Sequence, residues 1–574
     1  MKNIIPFVLI VCSTIFSIKA QNILIKNVNI INVLDGDISK NHNILIQDEK
    51  IRKISPSSIS ISEGTEIIDG TNKFVMPGMI DTHIHFFQTG SLYTRPDAID
   101  LKHIVSYDEE IDFALNLVED SFKRYLRLGI TSVMDVGGPF SNFKVRDSIA
   151  KSTLSPNVFV TGPLFSPYQP EAFSKLDDIP IEKITSIEEA SALFNKMLSF
   201  KPDFIKIWYV TNKNLPAEET YPIVEHIAKL THENNLKLAV HATDIKTAKL
   251  AIKAGADILV HSVRDKVIDK DFIQLMKNKN VTYIPTLIVS ENYGKAFLGK
   301  PTNHPQDLYF ANPKVYGTLF DTNRLPDKEA PNTIKWLRNN EASYFKRIAK
   351  QDSISLLNLK KLLSNNLNIA TGTDAGNIGT LHASSYIQEI EAMKKSGISY
   401  IDIIKACTIN AAKGFGLDKN IGSVEEGKLA DLIILNANPI EKLSNLNKIY
   451  EVIKSGKAVN IKKILEESPE QLVQRQVNAY NARNIDAFTD TYADDVRIYN
   501  FPETLSIEGK DQLKERFESI FKNVPNLYCE IKNRIVLGNK IVDREHVRFN
   551  NKYSDVIAIY EVTNGKISKV TFIR

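Results

Sequence analysis

A chain of 574 residues is longer than one ordinary domain needs, and its 43% hydrophobic content is ample for a large core. With 72 basic against 68 acidic side chains the net charge is +4, a near balance that gives no reason to expect nucleic acid. Three scattered cysteines, Cys12, Cys407 and Cys529, do not make a disulfide framework.

Met1-Lys2-Asn3 and the apolar run 4–18 have the pattern of a secretory signal peptide, residues 1–20, with Ala20 the last residue removed. Ile18 is bulky for its place before the cut. The run is too short for a transmembrane helix. Leu9-Ile10-Val11-Cys12 has the order of a lipoprotein site, but Val11 is large and the position early. An exported, periplasmic or secreted protein with no membrane span is expected, beginning at Gln21.

Residues 21–75 are short β-rich runs, such as Ile23-Leu24-Ile25 and Val28-Asn29-Ile30-Ile31, with a hairpin signal at Asp35-Gly36. Residues 421–463 carry two more runs, 431–435 and 449–459. The two blocks are expected to pair as one small sandwich.

Between them, residues 76–420 alternate strands with helices, which argues for parallel β/α units. The first strand reads Pro77-Gly78-Met79-Ile80-Asp81-Thr82-His83-Ile84-His85-Phe86. Residues two apart share a face, so Asp81, His83 and His85 point one way. Two adjacent imidazoles suit a divalent ion that prefers nitrogen; the bland alternative is two histidines on an exposed face. A helix over 109–128 stops at Gly129 before strand 130–134, and 158–160 is a third strand. Ser186 and Glu189 have capping-box spacing. Four later strands carry chemistry: 203–209 with Lys206, 238–241 ending at His241, 258–261 ending at His261, and 369–374 ending at Asp374. Residues 281–289 read as another strand. In a parallel barrel the C-terminal strand ends gather into one mouth, so His83, His85, Lys206, His241, His261 and Asp374 converge if the fold is a barrel. The stretch 290–339, rich in proline and asparagine, shows little periodicity and is expected to be a partial lid.

Residues 464–574 form a separate module: helices over 471–482, 485–492 and 512–521, then strands over 529–536, 540–550, 555–562 and 567–573.

The ordered ligand set resembles the amidohydrolase superfamily of binuclear metal hydrolases. The stretches PGMIDTHIH, DFIKI, VHA, LVH, TGTDAG and GSVEEGKLADLIIL are similar to the group containing imidazolonepropionase-like proteins and metal-dependent prolidases, over residues 22–460. In the tail, the run 479–488 with Tyr492-Ala493-Asp494-Asp495-Val496 resembles the SnoaL-like cone fold, whose relatives include ketosteroid isomerase and nuclear-transport-factor proteins. The resemblance implies an α/β fold: a (β/α)8 TIM barrel with a composite β-sandwich, followed by an α+β cone-like domain.

It also implies two divalent metal ions, zinc being expected, held by His83, His85, Lys206, His241, His261 and Asp374. An ammonium has no lone pair, so Lys206 serves only if carbon dioxide converts it to a bridging carbamate; otherwise it stays unmodified and pairs with Asp374 beside one metal. The implied reaction is hydrolysis of an amide or peptide C–N bond by a metal-bridging hydroxide, with Asp374 moving the proton. A dipeptide or N-acyl amino acid is the expected substrate. The alternatives are a cyclic amide or lactone hydrolase, or an inactive protein that binds its ligand through the tail. Asp81 is expected to orient a ligand imidazole or to cap the strand end. His382 is a candidate substrate contact, whereas His42, His103, His226, His232 and His304 read as surface residues. Tyr480, Tyr492, Asp495 and His546 are candidates to line the cone, and self-association is an expectation attached to the tail.

Overall fold

The computed structural model describes residues 22–301, 304–550 and 552–574, and the signal-peptide segment lies outside them. The two outer β-rich blocks join in one hydrogen-bonded sheet of eight strands among the described residues. Strand Phe74–Pro77 pairs antiparallel with Leu432–Leu435, setting Leu432 opposite Pro77 and Ile434 opposite Val75. Period-two alternation gives that strand two jobs. Leu432 and Ile434 enter the sheet's own isoleucine-rich core with Ile23, Ile25, Ile44 and Ile46. Ile433 and Leu435 face the other way and pack with Phe122 and Leu126 of the central unit.

The central unit is built on parallel strands. Met79–Ile84, Ile130–Asp135 and Asn157–Val160 pair in one group. Leu164–Ser166, Ile205–Ile207, Leu238–His241, Ile258–Val260 and Thr282–Ile284 follow in a second, flanked by Ile181–Lys183. Both gaps between the groups are bridged by backbone. The Asp203 amide donates to the Val160 carbonyl at 3.0 Å. On the other side, residues 369–375 lie parallel to both groups, Ile369 beside Tyr283 and Ala375 beside Ile84.

Local chemistry explains the element ends. The helix Tyr107–Arg127 begins in a capping box, Ser106 with Glu109. It stops before Gly129, whose φ of +74° no side chain favours and where a Cβ would sit 2.7 Å from Ile433 Cγ2. At the predicted Ser186 box only half forms, because Glu189 turns back to the Thr185 amide at 2.7 Å. The strand expected over 281–289 ends at Ile284: Pro285 has no amide for the ladder, and the Leu287 amide donates to buried Glu389 instead.

The stretch 290–339 is largely helical, against expectation: Val289–Phe297, Pro305–Phe310, Pro313–Thr318 and the start of Asn332–Leu363. Pro305 and Pro313 occupy first-turn positions, where a missing N–H costs nothing. The first of these helices lines a cavity at the strand ends with Val289, Ser290 and Tyr293. The next two carry the tail: Leu308, Val315, Tyr316 and Leu319 share one buried cluster with Leu472 and Val473 of helix Pro469–Asn481. Asn478 Nδ2 donates to the Pro313 carbonyl at 2.7 Å across this junction.

In the tail, helices Pro469–Asn481, Ile485–Asp490 and Lys510–Asn523 pack with a six-stranded sheet among the described residues. Two of its strands, Tyr492–Asn500 and Thr504–Glu508, lie where the sequence pattern suggested none. The first pairs parallel with Lys566–Ile573, so the sheet is not a simple meander. Among the described residues no helix is long and apolar enough to cross a membrane.

Candidate metal centre

All six predicted ligands line one cavity of about 310 Å³ at the C-terminal strand ends. His83 Nε2 and His85 Nε2 each lie 3.1 Å from Asp374 Oδ1 and 3.3 Å from one another. His85 Nδ1 donates to the Gly137 carbonyl at 2.8 Å, which leaves the lone pair on Nε2, facing the cavity. His261 Nδ1 contacts Thr286 Oγ1 at 2.7 Å and lies 3.9 Å from Asp374 Oδ2. The rings of His241 and His261 are 4.4 Å apart, and those of His83 and His261 4.9 Å.

Burial makes these groups ligand-ready. It lowers the pKa of His83 to about 4 and holds those of His241 and His261 well below the ordinary imidazole value, so the rings are neutral and keep a lone pair. Burial likewise brings Lys206, only 2% exposed, down to about 8, with Asp374 opposing the shift. Burial would raise the carboxyl of Asp374, but the imidazoles around it, His83 foremost, prevail and hold it well below the usual carboxylate range.

Two observations show that the donor set fits a metal ion. His83, His261 and Asp374 each offer a donor atom, all within 4.8 Å of one another. His83 Nδ1 and His241 Nδ1 are buried with no hydrogen-bond partner among the described residues, an arrangement that costs stability unless something else is bound. The backbone is also held in an uncommon state, φ +75° at His261 and +63° at Asp374, which clusters at functional sites.

Asp81 does not orient an imidazole. Its carboxylate accepts from Thr373 Oγ1 at 2.7 Å, the Thr373 amide at 3.0 Å and the His83 amide at 3.3 Å, tying the first strand to the segment that carries Asp374. His382 is not a lining residue either. Its Nε2 donates to the Gln88 carbonyl at 2.7 Å while Nδ1 accepts from Tyr125 at 3.1 Å. In the tail, Tyr480 and Tyr492 line a cavity; Asp495 is exposed, and His546 pairs with Asp555 at 2.7 Å.

Sequence reasoning missed the residues around the ligands. Asn377 Nδ2 donates to Asp374 Oδ1 at 2.7 Å, and its Oδ1 accepts from Arg95 at 2.6 Å and Tyr293 at 2.8 Å. Arg95 is neutralised by Asp97 at 2.6 Å. Arg264 lines the same cavity and donates to Ser290 Oγ at 2.6 Å, but pairs with no carboxylate among the described residues. Its one sequence signal was its place three residues after His261.

The family model of the amidohydrolase family matches residues 74–459, and that of the SnoaL-like domain matches 473–570. The chain belongs to the amidohydrolase family. This amidohydrolase is 22% identical over 459 residues to the 5'-deoxyadenosine deaminase of Methanosphaera stadtmanae, covering 76% of this chain and 90% of that one. It is 22% identical over 436 residues to the imidazolonepropionase of Picrophilus torridus, covering 73% and 93%. A solved Xaa-Pro dipeptidase with methionine bound in its active site is 23% identical with a TM-score of 0.58, over 77% of this chain and 100% of that one, a likeness of fold. The amidohydrolase is an enzyme, a hydrolase acting on carbon–nitrogen bonds.

Proposed function

We propose that this amidohydrolase cleaves the amide bond of an N-acyl amino acid or dipeptide. The observation that carries the substrate class is Arg264, a guanidinium in the metal cavity that forms no ion pair among the described residues, although Asp352 on the same wall attracts it. Burial lowers its pKa more than the attraction of Asp352 raises it, so a substrate carboxylate would supply a closer counter-charge.

We read the parallel strands as a closed (β/α)8 barrel spanning 76–420, beside a sandwich of 21–75 with 421–463 and ahead of the tail domain 464–574. His83, His85, His241, His261 and Asp374 would hold two zinc ions, bridged by Lys206 as a carbamate. Divalent ions held there would acidify water and polarise the scissile carbonyl. The lowered pKa of Lys206 supports the carbamate, because the neutral amine is the form that adds carbon dioxide, with loss of a proton. Asp374 takes the proton of the attacking water and passes it to the leaving nitrogen. Asn377 fixes the carboxylate for that transfer, itself held by Arg95 and Tyr293.

The test is a screen of the zinc-loaded full chain against N-acyl amino acids, dipeptides and their carboxamides. Free acids should be cleaved, and Arg264→Met should raise KM for them at least tenfold while leaving carboxamides little changed. Equal rates on acids and carboxamides, or turnover of cyclic amides and lactones alone, would overturn this reading. We further propose that the protein is exported and starts at Gln21, on the apolar run before Ala20; a mature product that keeps Met1 would refute it.

A further inference from the structure

The loop 87–98 follows strand Met79–Ile84 and carries Arg95, whose guanidinium donates to Asn377 Oδ1 at 2.6 Å; Asn377 in turn donates to Asp374. Arg95 is clamped by Asp97 of the same loop through two hydrogen bonds, at 2.7 and 2.6 Å, so the pair moves with the loop. Where Arg95 stands is therefore decided by what holds the loop.

The loop has two sets of anchors. Its first residues are tied to the central unit. The Thr89 and Ser91 hydroxyls donate to buried Glu110 at 2.6 and 2.7 Å, and the Gly90 amide donates to the Gly376 carbonyl at 3.0 Å. The residues nearer Arg95 are tied to the inserted stretch that carries the tail. The Leu92 amide donates to Thr318 Oγ1 at 3.1 Å, and Tyr93 Oη donates to Asp321 at 2.7 Å while accepting from Arg324 at 2.8 Å. Both partners of Tyr93 belong to the short turn Asp321–Arg324. Arg324 then reaches the tail itself, lying 3.5 Å from Glu530 Oε1 on strand Tyr528–Leu537. The two side chains are only 28% and 11% exposed, so solvent screens their attraction weakly. Polar contacts, with two residues of backbone between Tyr93 and Arg95, thus join the tail to Asp374.

We propose that the tail braces the metal centre. Glu530, acting through Arg324 and Tyr93, fixes the part of the loop that sets Arg95, and Arg95 holds Asn377 in line with Asp374. Glu530, Arg324 and Tyr93 are positioning residues, since none of them lines the metal cavity. The inference rests on that cavity being a metal centre and not on the substrate proposed for it.

The zinc affinity of the full-length chain, measured by competition with a chromophoric chelator, reads the placement of Asp374 without any substrate. Asn377→Ala should weaken zinc about tenfold, as is typical for a group behind a metal ligand. Tyr93→Phe and Glu530→Gln, both nearly isosteric, should each weaken it at least threefold and speed hydrogen exchange of the segment 92–98. In the Asn377→Ala background neither should weaken zinc further, because the line is already cut; a merely structural role would add its cost in both backgrounds. Lys314→Met opens a partly exposed pair with Glu470 at the same junction and should stay within twofold of the parent. The brace would be overturned, with the metal centre left standing, if Tyr93→Phe and Glu530→Gln kept affinities within twofold of the parent or unchanged exchange. Losses that add to that of Asn377→Ala, or an equal loss in Lys314→Met, would overturn it too. A parent chain that takes up no zinc would overturn both readings.

Discussion

Thr373→Val is the sharpest probe of how the metal centre is held. The two side chains are almost the same size, so the change removes a hydroxyl from a fully buried place without opening a cavity. That hydroxyl donates to Asp81 Oδ2 at 2.7 Å and accepts from the Ala375 amide at 3.0 Å. Losing the hydroxyl's bond to Asp81, whose pKa burial raises to about 7, costs about 0.5–3 kcal/mol, and a stranded buried amide adds about 1–3 kcal/mol. The damage falls on both neighbours of Asp374 in the chain, so it should appear in the ligand geometry as well as in stability. Disturbing a group behind a metal ligand typically lowers affinity about 10- to 100-fold. Competition with a chromophoric chelator should show a loss of that size in the purified variant, with a lower unfolding midpoint. Thr373→Ser should restore most of both. A valine variant with metal affinity within twofold of the parent would refute the claim that the Asp81–Thr373 bond positions Asp374.

Lys206→Ala should lose about half of the bound metal and most activity, and short carboxylic acids should restore part of each; metal analysis without such rescue would count against a carbamate bridge. Glu545 gives a pH prediction for the tail. Burial raises its pKa from 4.5 to about 7 in the folded chain, so folding is favoured below the unfolded value and loses that advantage as pH rises to about 7. Glu545→Gln removes the effect and should gain on the parent in thermal midpoint between pH 5 and pH 8, with a ceiling of roughly 3 kcal/mol. An unchanged difference at the two pH values would show that Glu545 does not titrate in this way.

The candidate metal ligands were legible because each sits in or just after a segment running parallel to its neighbours, where period-two geometry fixes direction from sequence alone. His83, His85, Lys206, His241, His261 and Asp374 all reach one cavity for that reason. Asn377, Arg264 and Tyr293 were not legible, because they lie on loops and helices whose path depends on packing. Asp81 was misread for a related cause: its spacing from His83 gave the right face, but its partner, Thr373, is 292 residues away. In the stretch 290–339, Pro305 and Pro313 looked like breakers, yet they stand where helices begin. The apolar positions around them, Leu308, Val315 and Leu319, share a cluster with Leu472 and Val473 of the tail, so no pattern near them in sequence could reveal their use.

That junction also orders events in time. The ribosome adds about 150 residues between Tyr316 and the helix Pro469–Asn481 that covers it. At roughly 5–20 residues per second, this surface waits on the order of 10–30 s for its partner to be made. During that interval a nascent chain with a finished parallel-strand unit still displays an uncovered greasy ledge, a natural landing place for a chaperone and a natural starting point for aggregation.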